Sequence, residues 1–108
     1  MSAYKIMWLI VNFDLPTETK VERRRATQFR NMLIKEGFIM KQLSMYIQWF
    51  PNKTQAMVMS ERIGRLTPKK GYISVIPITD KQFSIAKNYV GTMEIDIEKP
   101  QSQLLLFE

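Results

Sequence analysis

Ile6-Met7-Trp8-Leu9-Ile10-Val11-Asn12-Phe13 is the stretch that most restricts what this chain can become. Seven of its eight residues are apolar, so a strand built from it presents apolar side chains on both faces. Asp14 ends the run abruptly and Leu15-Pro16 follows. A carboxylate at a strand end has two readings. It is a turn former, because Asp bonds its own nearby backbone, and it is a functional group held on a rigid support. The residue alone leaves both open.

The chemistry next door is basic. Thr19-Lys20-Val21-Glu22 has the spacing of a capping box, and Gly37 marks a stop, which predicts a helix over 18–36. Ala26, Phe29 and Leu33, with Met32 beside them, form its apolar stripe. Lys20, Arg23, Arg24 and Arg30 fall on its polar side, as candidate phosphate contacts or as an ordinary solvated face. Arg25 lies nearer Phe29 and Met32, suited to snorkelling or internal pairing. Charge is unevenly placed within a net +6: residues 1–70 hold 13 Lys and Arg against 5 Asp and Glu, and residues 71–108 hold 3 against 5. A basic body points to a polyanion partner, most often nucleic acid.

Composition excludes more than it selects. The 108 residues make one domain with a modest core. No apolar run is long enough to span a membrane and no signal peptide is visible, so a cytoplasmic location is expected. With no Cys and no His, disulfides, thiolate metal sites and imidazole catalysis are excluded. Any catalysis must use carboxylates, Lys, Tyr, Ser or a bound hard cation.

Phe38 to Phe50 reads as extended, with a change of phase: Phe38 and Met40 are apolar at even positions, Leu43, Met45, Ile47 and Trp49 at odd ones. A bulge or tight break near Lys41-Gln42 is therefore expected. The remaining row (Gln42, Ser44, Tyr46, Gln48) suits an edge or an interface better than a core. Asn52 and Gln55 start a second helix with Ala56, Met59, Ile63 and Leu66 on one face, ended by Thr67-Pro68. Lys69-Lys70-Gly71 turns into a strand from Tyr72 to Ile78, and Thr79-Asp80-Lys81-Gln82 opens a short helical turn with Phe83 and Ile85. After Gly91 a late strand is expected, and Leu104, Leu105, Leu106 and Phe107 are too apolar for a free tail. The order is a βαββαβ plan of the α+β class, two helices on one sheet face. The doubly apolar first strand leaves the other face for a second sheet, most simply that of a second copy.

Phe13-Asp14-Leu15-Pro16, Glu22-Arg23-Arg24, the run from Phe29 to Met40, Gln42-Leu43-Ser44-Met45-Tyr46, Thr79 to Phe83 and Leu104 to Phe107, in that order and spacing, resemble the small CRISPR adaptation protein, the Cas-two family, in its type II form. Ser-Met-Tyr stands where that family more often has Ser-Val and an aromatic. The resemblance covers nearly the whole chain. It implies a ferredoxin-like homodimer with facing sheets. Residues 1–92 would form the domain, and 93–108 a C-terminal linker and strand on the partner subunit's sheet. It implies a structural role in spacer acquisition, holding short duplex DNA with the larger adaptation integrase. The alternative it carries is a Mg²⁺-dependent endonuclease acting on single-stranded RNA or duplex DNA, with Asp14 binding an ion shared across the dimer. A third reading is an RNA-recognition module on the same plan. Lys70-Gly71-Tyr72 imitates the start of its signature, but Ile73-Ser74-Val75 lacks the further aromatics.

Overall fold

A computed structural model describes residues 5–95. The first strand, β1 (Met7–Asp14), sits inside a four-stranded antiparallel sheet of order β2-β3-β1-β4, with β2 at Ile39–Gln42, β3 at Met45–Phe50 and β4 at Tyr72–Thr79. Helices α1 (Lys20–Lys35) and α2 (Lys53–Arg65) make the two crossovers. This is the ferredoxin-like α+β arrangement expected from the pattern. A five-residue α3 (Asp80–Ser84) and a small hairpin of β5 (Asn88–Val90) and β6 (Met93–Ile95) follow. Leu104–Phe107 lie outside the described residues.

Register explains why β1 is apolar throughout. Met7, Leu9, Val11 and Phe13 pair with Phe50, Gln48, Tyr46 and the β4 residues Thr79, Pro77, Val75 and Ile73. Cross-strand partners share a face. This one is packed by Ala26, Phe29 and Leu33 of α1 and by Ala56 and Ile63 of α2. Phe13 makes an edge contact with Phe29 at 5.3 Å and stacks on Tyr46 at 5.6 Å between ring centroids. Each such fully buried side chain contributes about 1.5–3 kcal/mol. Trp8, Ile10, Asn12 and Asp14 point to the opposite face.

The bulge appears where the phase change required it, between Met40 and Gln42. The assignment of rows needs correction. Tyr46, read with Gln42, Ser44 and Gln48 as an edge or interface row, is buried in the core, and Gln48 shares its face. Met45, Ile47 and Trp49 face the other side. A tyrosine ring supplies enough apolar area to carry its hydroxyl inward, and both rows of β3 hold large apolar groups, so alternation alone could not choose between them.

Candidate nucleic-acid interface

The candidate site grows from the end of β1. Asp14 is the last β1 residue, exposed, directly across from Tyr72 of β4. It shares the face away from α1 and α2 with Asn12 and Ser74, another cross-strand pair. Among the described residues no group of three or more His, Cys, Asp or Glu comes together. One chain thus offers Asp14 alone as a carboxylate there, too few hard donors for a Mg²⁺ ion that wants six near-octahedral oxygens. The donor set of a single chain does not fit the cation.

From Asp14 the chain runs into a tightly capped helix. The Thr19 side chain accepts from the Glu22 backbone N–H at 3.0 Å. The Glu22 carboxylate accepts from the backbone N–H groups of Thr19 at 3.0 Å and Glu18 at 3.1 Å. These bonds, the Thr19 backbone N–H first and nearby Lys70 last, hold the Glu22 carboxyl below its ordinary value. The capping box read from the sequence is present, and the helix begins at Lys20, directly after its N-cap Thr19 and two residues later than the expected start at 18.

The basic candidates are not equivalent. Lys20 and Arg24 are exposed. Arg23 is exposed too, yet its guanidinium donates to the carbonyls of Thr17 and Glu18, both at 3.0 Å, so it also ties down the loop before the helix. Arg30 is half-buried on the core side of α1 and lies beside Tyr46. Burial pushes the Tyr46 hydroxyl up, and the Arg30 guanidinium opposes that shift. Lys41, half-buried at the bulge, has its ammonium pushed down by burial.

Two groups passed unnoticed as functional residues. Arg25, Lys69 and Lys70 line a trough between α1 and the α2–β4 connection. The dibasic pair before Gly71 signalled it, though in the sequence it reads as a turn and, through Lys70-Gly71-Tyr72, as an incomplete RNA-recognition signature. On the other face the Trp8 indole stacks on Phe83 at 3.9 Å and donates to Asp80 Oδ1 at 2.8 Å, fastening α3 across part of the sheet.

Fold and site together define a small ferredoxin-like protein with a basic first helix and a lone acid at the end of its first strand. Residues 7–85 match the family described as CRISPR associated protein Cas2. The chain is 41% identical over 107 residues to a CRISPR-associated endoribonuclease Cas2 of Flavobacterium psychrophilum, covering 99% of this chain and 93% of that one. It is 35% identical to that of Paracidovorax avenae, covering 99% of both, and 36% identical to that of Streptococcus mutans serotype c, covering 92% and 91%. The chain belongs to the CRISPR associated protein Cas2 family. No described helix is long and apolar enough to cross a membrane.

Proposed function

We propose that this protein is a homodimeric, nucleic-acid-binding structural subunit of the CRISPR adaptation complex, holding short duplex DNA with the larger integrase. The observation that carries the reading is the sheet face opposite α1 and α2, which among the described residues α3 covers only at its Trp8 end. Ile39, Trp49 and Ile76 stay exposed on it beside buried Ile47, an apolar surface that a second copy would cover. Leu104, Leu105, Leu106 and Phe107 would extend that cover onto the partner subunit's sheet. Pairing two copies places two α1 helices on one particle, and Lys20, Arg23, Arg24 and Arg30 of each supply phosphate contacts. Arg23 and Arg30 do so while also bracing the loop and Tyr46.

Salt dependence tests the binding. Affinity for a short duplex falls on a log–log plot with a slope of about 0.9 per phosphate neutralised, and Arg24→Ala and Lys20→Ala each lessen it. Salt-insensitive binding, or a slope unchanged in the double variant, overturns the assignment.

A second reading has support in the relatives' name, endoribonuclease, and in Asp14 at the strand end. Two copies of Asp14 brought together by the dimer would supply the second carboxylate that one chain lacks. Mg²⁺ bound there would activate water against a phosphodiester. Asp14→Asn separates the readings. A scaffold keeps dimer, duplex binding and integrase-dependent spacer insertion in this variant. A nuclease loses EDTA-sensitive cleavage.

A further inference from the structure

Along the seam between α1 and the connection from α2 to β4 lie two adjoining hollows of about 410 and 320 Å³. Phe29, Met32 and Leu66 line the first, Leu15, Val21 and Ala26 the second, and Arg25, Pro68 and Lys69 border both. They form one trough with an apolar floor. Lys70 stands at its far end beside Glu22. Among the described residues none of Arg25, Lys69 and Lys70 makes an ion pair. Glu22 is the one acid in the lining, and the helix cap already engages its carboxylate.

The backbone of this connection is built, not slack. Thr67 Oγ1 donates to the Ile63 carbonyl at 3.1 Å, and the Gly71 N–H closes a turn on the Pro68 carbonyl at 3.0 Å. A Cβ on Gly71 would lie 2.5 Å from Leu15 Cδ2, so the chain passes hard against the trough wall. Lys70 has φ +66°, the one non-glycine residue with positive φ among the described residues. Glycine or asparagine takes that conformation at less cost than lysine. A lysine held there keeps a charge at the trough at the expense of backbone comfort, and stored strain of this kind gathers at binding sites.

We infer that the trough docks an extended segment of a partner protein in which carboxylates alternate with apolar side chains. Charge complementarity selects the carboxylates, because three cations that make no ion pair among the described residues rim the trough. The floor selects the apolar groups. A phosphate backbone would use the cations and leave two apolar hollows empty, so the shape favours a peptide over nucleic acid. Lys20, Arg23 and Arg24 leave α1 on other sides of the helix from Arg25, so the trough is separate from the surface assigned to phosphate. It also lies on the helix side of the sheet, away from the face assigned to the second copy. The inference therefore stands or falls independently of the proposed function.

A phage-displayed library of random 12-residue peptides, panned on the full chain, is the test. Expected is enrichment of sequences that alternate Asp or Glu with Leu, Ile or Phe. An enriched peptide, made with a fluorescein label, should bind at least tenfold more weakly to Lys69→Gln/Arg25→Gln, measured by fluorescence anisotropy. Lys70→Gly is the sharper variant: it should weaken binding while raising the denaturation midpoint, a pairing that a merely structural lysine would not give. Failure to enrich acidic-apolar peptides overturns the inference. So does equal binding of a version with Ser for every apolar residue. Competition by a 12-nucleotide single strand that is lost in the same variants would reassign the trough to nucleic acid.

Discussion

On the side of the sheet packed by α1 and α2, Leu9 and Val11 are fully buried and Phe13 and Tyr46 nearly so. On the other side, Trp49 stays 53% and Ile76 45% exposed. The same strands build both surfaces. The covered face is apolar from end to end apart from Gln48 of β3 and Thr79 at one end of β4. The open face changes character along its length, from Trp8, Ile10, Ile47 and Trp49 to Asn12, Asp14, Ser74 and Tyr72. A face needed only for solubility would be polar throughout, and one needed only for a core would be apolar throughout. A face divided this way suits contact with another surface over one half and a solvated polar task over the other.

The largest expected effects separate those faces. Leu33→Ala and Ile63→Ala each remove a fully buried side chain and should cost about 2–5 kcal/mol in chemical denaturation. Trp49→Ser and Ile76→Ser should leave the unfolding free energy of a dilute, dissociated chain within about 1 kcal/mol of wild type. In the proposed homodimer their effect belongs in sedimentation, as a shift towards monomer. Equal destabilisation of the dissociated chain by both sets would erase the distinction between core and contact surface.

Gly37 tests how closely the covered face is fitted. It ends α1 at φ +98°, and a Cβ there would meet Gln48 Oε1 at 2.7 Å. That oxygen is buried and accepts no hydrogen bond from the described residues. Gly37→Ala combines left-handed strain with this clash and should cost about 1–3 kcal/mol. Adding Gln48→Ala should recover the steric part and leave the backbone part. The stop signal for α1 was legible in the sequence because Gly after a helical stripe has one common use. Its second role, making room for a glutamine eleven residues on, was not, because it depends on the register of β2 against β3.

The same boundary between local and non-local information runs through the rest of the chain. Thr19 with Glu22, Asn52 with Gln55 and Thr79 with Gln82 announce three helix starts within three residues each, and all three caps are present. The bulge was legible from the slip in alternation. Which β3 row faces the helices was not, since Tyr46 and Trp49 both satisfy an apolar face. At the candidate site, Asp14 and the α1 cations could be placed on their elements. The internal work of Arg23 could not, because two carbonyls of an irregular loop decide it. Nor could the trough, which joins residues about forty apart.

On the open face, α3 covers the Trp8 end through one stack and one hydrogen bond. Asp80→Ala removes the acceptor of the indole N–H and should cost about 1–2 kcal/mol, with a change in tryptophan fluorescence. Trp8→Phe keeps a ring against Phe83 and should cost less than Trp8→Ala. If all three variants were silent, α3 would not be part of the folded unit.

The smallest expected effect lies outside both faces, in the α1 cap that joins Asp14's loop to the basic helix. Thr19→Ala removes the side-chain acceptor for the Glu22 N–H and should cost about 1 kcal/mol. Glu22 adds a pH signature. Its carboxyl is held below its ordinary value by the backbone N–H groups it accepts from, so the folded state favours the ionised form. The stabilisation is therefore fully present above the ordinary carboxylate range and is lost as pH falls through the lowered folded value. The difference in unfolding free energy between wild type and Glu22→Gln should be constant from neutral pH down to about pH 5 and shrink below it. Leu33→Ala, whose loss is apolar, should show the same deficit at both ends of that range. A Glu22→Gln deficit that grows in acid would reverse the sign and remove the carboxylate from the cap. A deficit that shrinks in acid would tie the entrance of the basic helix to an ionised Glu22, and leave the covered face indifferent to pH.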